Sequence, residues 1–210
     1  MAISISINNL GKKFNREWIF RNLSCEISAG EKLVILGGNG SGKSTLLQII
    51  SGFVSANAGT VLYKENNQSI AAERLKNHVA FASPYLQLVE DFTLTELIHH
   101  VKTYKSFINQ LSAQQIIEVL ELEQAKDKLI RQFSSGMKQR LKLGMAILSD
   151  TPLLLIDEPV SNLDKNAITW YKHLISNYSQ NRTVIVCSNA INEEYFFCEK
   201  ELNVMDFKPK

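Results

Sequence analysis

The chain has 210 residues, 45% of them hydrophobic, and a formal net charge of +2. That length buries a full core as one domain with room for a subdomain, and the near-neutral charge gives no footing for a nucleic-acid-binding surface. No apolar run approaches the roughly 20 residues of a membrane span. Cys25, Cys187 and Cys198, odd in number and far apart in apolar stretches, read as buried reduced thiols of a cytosolic protein.

Along the chain, strands alternate with helices. Ile3, Ile5 and Ile7 alternate with Ser4, Ser6 and Asn8, so 3–10 reads as a strand and not as a signal peptide. The basic residues Lys12, Lys13, Arg16 and Arg21 read as a solvated face. Strands are expected at 23–27 and 32–36, a helix over 43–50 closed by Ser51-Gly52, and short strands at 59–63 and 78–82. From 93 to 149 the pattern turns helical, over 93–104, 112–122 and 135–148, with Ser112 and Ser135 suited to N-caps. Strand periodicity returns at 153–156, followed by a helix over 165–178, a strand at 183–187, a short helix at 193–198 and a strand at 202–207. The pattern is that of an α/β core interrupted by helices.

The most specific stretch is Val34-Ile35-Leu36-Gly37-Gly38-Asn39-Gly40-Ser41-Gly42-Lys43-Ser44-Thr45. Gly37 to Ser44 match G-x-x-x-x-G-K-[ST] between an apolar strand and an amphipathic helix, the context a phosphate-cradling loop requires. Its glycines let the backbone present N–H groups inward, and the helix N-terminus adds partial positive charge for a polyphosphate. Lys43 suits the β- and γ-phosphates, and the Ser44 hydroxyl suits Mg²⁺. A second motif is Leu153-Leu154-Leu155-Ile156-Asp157-Glu158-Pro159. Two acids behind four buried aliphatics are costly without a task. Asp157 suits Mg²⁺, directly or through water, and Glu158 suits accepting a proton from an attacking water or orienting it.

With Phe133-Ser134-Ser135-Gly136-Met137-Lys138-Gln139-Arg140 at a helix start shortly before Asp157, the sequence resembles the ATP-binding subunit of ABC transporters over nearly its whole length. The resemblance implies a P-loop NTPase core, a mixed sheet flanked by helices. It also implies an N-terminal antiparallel β part and a helical subdomain at roughly 85–150 within a single domain, 1–210. It implies ATP and Mg²⁺ as ligands, with Gly38, Asn39, Gly40, Ser41, Gly42, Lys43, Ser44 and Thr45 on the phosphates. Phe14 is placed to stack on adenine, with Trp18 close enough to compete. Ser134, Ser135 and Gly136 would grip the γ-phosphate of an opposing ATP-binding domain, in a homodimer or beside a related chain, and Ser161-Asn162-Leu163-Asp164 resembles the loop linking the two ATP sites. A separate membrane-spanning subunit is implied as partner, with this chain cytoplasmic and peripheral at the inner face of the cell membrane.

Two positions depart from the family pattern. Pro84 stands where the family has a glutamine that touches Mg²⁺, so either Gln87 or Glu90 substitutes through a reshaped loop or the contact is lost. Ser188-Asn189 stands where the family has Thr-His, and an amide hydrogen-bonds but takes up no proton near neutral pH. Asn189 is therefore expected beside Glu158 and Lys43 as a γ-phosphate contact, in an ATPase weakened but not abolished. The alternatives are a regulatory subunit that binds ATP and scarcely hydrolyses it, and a soluble ABC-type ATPase acting on DNA or ribosomes, for which this length holds neither a long coiled coil nor a second ATP-binding domain.

Overall fold

The computed structural model describes residues 2–209. The alternating isoleucines put Ile3, Ile5 and Ile7 on the buried face of β1 (Ile3–Phe14), which pairs antiparallel with β2 (Glu17–Ile27). The next buried aliphatic is Leu10, three positions on instead of two. The register shifts there and Asn9 takes a φ of 47°, so the strand carries a bulge and runs past the expected residue 10. After β3 (Lys32–Leu36) and α1 (Lys43–Ile50), β4 (Ala58–Glu65) returns antiparallel along β1. Gly59 is needed there, because at its φ of 76° a Cβ would stand 2.3 Å from the Asn8 carbonyl oxygen. A short β5 (Gln68–Ser69) completes a sheet of order β2-β1-β4-β5.

The second sheet has order β6-β7-β8-β3-β9, built from β3 with β6 (Val79–Ala82), β7 (Leu153–Asp157), β8 (Thr183–Ser188) and β9 (Lys200–Asn203). β7 pairs parallel with β8, and β3 pairs parallel with both β8 and β9. Every residue of β7 and β8 is buried, which is why both read as unbroken apolar runs instead of alternating ones. Thr183 knits the N-terminal strand to this sheet: its hydroxyl donates to Ile3 O at 2.6 Å and accepts from Gly30 N at 2.9 Å.

These strands belong to one compact unit, residues 1–81, 151–158 and 179–210; residues 82–150 and 159–178 form a second. The second holds α2 (Leu94–Lys102), α3 (Ala113–Leu120), α4 (Ser135–Ile147) and α5 (Lys165–Tyr178). Capping boxes of Thr93 with Glu96 and of Ser112 with Gln115 start α2 and α3. The cap of α4 is Ser134 and not Ser135: the Ser134 hydroxyl accepts from Met137 N at 3.2 Å. The unit reaches beyond 85–150 because α5 packs with it, Trp170 Nε1 donating to Val119 O at 2.8 Å. Two terminal elements also differ from expectation. The short helix α6 covers Asn192–Tyr195, and 202–207 divides between β9 and a 3-10 turn, Val204–Phe207, capped by Asn203 Oδ1 on Met205 N at 3.0 Å. Among the described residues no helix is long and apolar enough to cross a membrane.

Candidate functional site: a phosphate-loop ATP site

Parallel strands deliver the loops that follow them to one edge of the sheet. Leu36 is in register with Ser188, and Asp157 with Cys187. The loop after β3, the pair Asp157-Glu158 after β7 and Asn189 after β8 therefore leave the sheet side by side. Because β8 lies between β7 and β3, Asn189 emerges between the other two.

Within the loop, Ser41 N donates to Gly38 O at 3.1 Å, and Leu46 N to Gly42 O at 2.8 Å begins α1. Gly42 holds a φ of 107°, where a Cβ would lie 2.5 Å from Ile19 Cγ2, so only glycine fits. Gly38, Asn39 and Gly40 form an exposed rim, and a Cβ on Gly38 or Gly40 would meet nothing within 4 Å. Ser41 is 2% exposed and its Oγ is a buried polar atom without a hydrogen-bond partner among the described residues. Lys43 is buried, and its Nζ donates to Gly37 O at 2.9 Å, Gly38 O at 3.2 Å and Asn189 Oδ1 at 2.6 Å. All three ammonium donors are thus engaged.

Asp157 is 1% exposed at the end of β7; Glu158 follows at a φ of 43°, with its N–H on Cys187 O at 3.0 Å. Asn189 Nδ2 donates to Glu158 Oε1 at 2.8 Å. Burial, reinforced by the Asp157 charge, pushes the Cys187 thiol well above its ordinary range, so it stays neutral and is no nucleophile. The residues fit a magnesium-bound triphosphate. The buried Ser41 hydroxyl and the first N–H groups of α1, at Ser44 and Thr45, are donors for phosphate oxygens. Among the described residues no three or more His, Cys, Asp or Glu side chains gather into a metal cage. A divalent ion here would rely on the Ser44 hydroxyl, Asp157 and phosphate oxygens, the mode that suits Mg²⁺.

The helical unit presents its own constellation. Ser134 and Ser135 are exposed at the start of α4, and a Cβ on Gly136 would lie 3.3 Å from Asn162 O. A groove of about 630 Å³ is lined by Ser134, Gly136, Arg140, Asn162 and Asp164, so the segments 133–140 and 161–164 form one surface. Elsewhere in the unit, α4 lashes down the loop at 84–90. Lys138 Nζ meets Glu90 Oε1 at 2.5 Å, and Lys142 Nζ donates to Pro84 O at 2.5 Å.

A family model for ABC transporters matches residues 20–161. The chain belongs to the ABC transporter family. It is 32% identical over 171 residues to the cytochrome c biogenesis ATP-binding export protein CcmA of Xylella fastidiosa (strain Temecula1 / ATCC 700964), which spans 80% of this chain and 79% of that protein. It is 28% identical over 195 residues to the uncharacterized ABC transporter ATP-binding protein YcbN of Bacillus subtilis (strain 168), over 92% of this chain and 64% of that one. The fold is shared with the dimeric post-hydrolysis state of the ATP-binding cassette MJ0796 bound to ADP and Pi. That structure matches at a TM-score of 0.79 and 24% identity, covering 95% of this chain and 93% of its own.

In this ABC ATP-binding subunit the sheet edge gathers Lys43, Ser44, Asp157, Glu158 and Asn189, while Ser134, Ser135, Gly136 and Gln87 lie in the helical unit. Phe14 is 51% exposed at the end of β1. Trp18 packs differently: the indole lies against Gly11, where a Cβ would be 2.8 Å from Cζ3, with Lys13 and Arg21 over its ring at 5.5 and 5.0 Å, while Lys12 lies over the Phe14 ring at 5.1 Å. Gln87 is exposed, while the Glu90 carboxylate is committed to Lys138. The sequence motif holds Gln139 and Lys138 but does not reveal their contacts: Gln139 is buried with Nε2 on Pro159 O at 3.2 Å, and Lys138 acts with Lys142, which lies outside the motif. The lysines' i, i+4 spacing marks a shared helix face, but nothing local distinguishes a clamp from a solvated stripe.

Proposed function

We propose that the chain hydrolyses MgATP as one of two facing ATP-binding domains and so drives a separate membrane-spanning subunit. The observation that supports this best is the convergence of Lys43, Asp157, Glu158 and Asn189 at the ends of three registered parallel strands. Phe14 stacks on adenine. Gly38 to Thr45 wrap the phosphates, and Lys43 leaves its carbonyl partners for the β- and γ-oxygens. Ser44 and Asp157 would hold Mg²⁺, which when bound would neutralise charge on the phosphates, and Gln87 offers an exposed amide oxygen from the 84–90 loop. Glu158 orients the attacking water, and catalysis is positioning plus electrostatics. Ser134, Ser135 and Gly136, at the N-terminus of α4, complete the site of the opposing domain.

Pro84 carries no side-chain ligand and Asn189 takes up no proton, so turnover is lower than a glutamine and a histidine at these positions would give. The export role named for CcmA supports the reading of an assembly with a membrane partner, in which this chain works at the cytoplasmic face of the cell membrane.

Two substitutions test the reading. Lys43→Ala should abolish tight MgATP binding in calorimetry, because it removes the one full positive charge aimed at the β/γ-phosphates. Glu158→Gln should keep that affinity and lower phosphate release at least about hundredfold. Wild-type affinity in the first, or wild-type turnover in the second, would remove the assignment.

A further inference from the structure

Charge pattern alone places Lys12 on a solvated face, but its ammonium is tied down. Lys12 Nζ donates to Ser55 O at 2.8 Å, in the stretch between α1 and β4. Two further bonds hold the same part of β1 to that stretch: Lys13 N donates to Asn57 Oδ1 at 3.0 Å, and Asn57 N to Gly11 O at 2.9 Å. Across the hairpin, Lys12 is in register with Phe20, and a Cβ on Gly42 of the phosphate loop would lie 3.3 Å from the Phe20 ring. The strand end that carries Phe14 is therefore fixed relative to the phosphate loop. In that setting Lys12 Nζ stands 5.1 Å from the centre of the Phe14 ring, within reach of a cation–π attraction. A flat ring has two faces. Lys12 lies over one, and the half-exposed Phe14 keeps the other for a ligand.

We propose that Lys12 is a positioning residue for the nucleotide base: its anchored ammonium backs the Phe14 ring and holds the opposite face ready for the purine. This rests on Phe14 being the residue that stacks on adenine. The cation draws π density toward itself, so the free face repels the π cloud of a base less. A lysine addressing phosphate oxygens would act as a point charge, and it would matter to any polyphosphate. A braced platform matters only to a ligand that carries a base. That difference separates the two roles. The bond to Ser55 O is separable as well: glutamine at position 12 keeps an N–H donor for the carbonyl and lacks the charge, whereas arginine keeps both.

The test is calorimetric binding of MgATP and of inorganic tripolyphosphate with Mg²⁺ to the full chain. The variants are Lys12→Ala, Lys12→Gln, Lys12→Arg, Phe14→Ala and the double Lys12→Ala/Phe14→Ala, with thermal melts to confirm folding. Ala and Gln at position 12 should each raise the Kd for MgATP about twofold to fourfold, the scale of one exposed cation–π contact. Both should leave the Kd for tripolyphosphate unchanged, and Arg should keep wild-type affinity for both ligands. The double variant should bind MgATP no more weakly than Phe14→Ala, because the brace has nothing left to hold. An equal loss for tripolyphosphate would overturn the proposal and make Lys12 a phosphate contact. Wild-type ATP affinity in Lys12→Gln would overturn it too, as would losses that add in the double variant. Phe14→Ala with wild-type ATP affinity would remove the stacking reading and the brace together, whereas a weakened Phe14→Ala beside an unchanged Lys12→Ala removes the brace alone.

Discussion

At the scale of single residues, Phe14 and Trp18 show how packing sorts two side chains of the same chemistry. Both are aromatic, four positions apart at the turn end of the β1–β2 pair, and either suits stacking on a purine. Trp18 has one flank against Gly11 and two cations over its ring at 5.5 and 5.0 Å, while Phe14, with one cation at 5.1 Å, is 51% exposed. Phe14→Ala should therefore weaken ATP binding by about 1 kcal/mol, close to a fivefold rise in Kd, the size of one aromatic stack. Trp18→Phe should leave Kd unchanged, since the indole's partners are intramolecular. Calorimetry on the two variants checks this, and the opposite ranking would exchange their roles.

At the scale of elements, Glu31 ties the β2–β3 turn to β9. Its Oε2 accepts from Ser28 N at 2.6 Å and its Oε1 pairs with Lys200 Nζ at 2.9 Å. Burial works to raise the Glu31 pKa, but the Ser28 N–H and Lys200 outweigh it and hold the carboxyl below its usual range. A depressed native pKa contributes stability above the unfolded value, and that contribution is lost as pH falls through the native one. The Lys200 end is partly exposed, so solvent screening keeps the pair to a few tenths of a kcal/mol up to about 1 kcal/mol. Urea melts at pH 7 should show Glu31→Gln less stable by that amount. The two curves should converge once the pH drops below the depressed native pKa; a gap independent of pH would mean that Glu31 acts through packing.

At the scale of the whole molecule, the exposed start of α4 and the loop at 161–164 make one surface of the helical unit, while the phosphate loop belongs to the other unit. On the proposed reading, a second copy or a related chain brings ATP to that surface. The Glu158→Gln chain with MgATP should accordingly run as a dimer in size-exclusion chromatography with light scattering, because turnover no longer opens it. Adding Gly136→Asp should return it to a monomer while ATP affinity is kept. The new Cβ would already crowd Asn162 O at 3.3 Å, and its carboxylate would face the incoming phosphate. A monomer in the single Glu158→Gln variant, at saturating ATP and high protein concentration, would argue against self-pairing.

What the sequence alone determined is whatever chemistry sits on contiguous residues. The run from Val34 to Thr45 declares a strand, a glycine turn and a helix N-terminus in one stretch, and Leu153 to Glu158 declares a buried strand ending in acids. Local backbone geometry suffices for both. Ser134 and Ser135 show the limit even of local reading: both serines suit a helix cap, and only the hydrogen bond to Met137 N picks the first. The tertiary structure decided everything that joins distant segments. Asn189 lies 146 positions from Lys43 and 31 from Glu158, and it bridges them because β8 was inserted between β7 and β3. Lys138 and Lys142 likewise grip a loop some fifty residues earlier, from a helix face that charge pattern alone leaves in solvent. Spacing along a chain encodes which residues share a turn or a face, whereas strand order and helix docking are set by the burial of apolar surface over the whole fold.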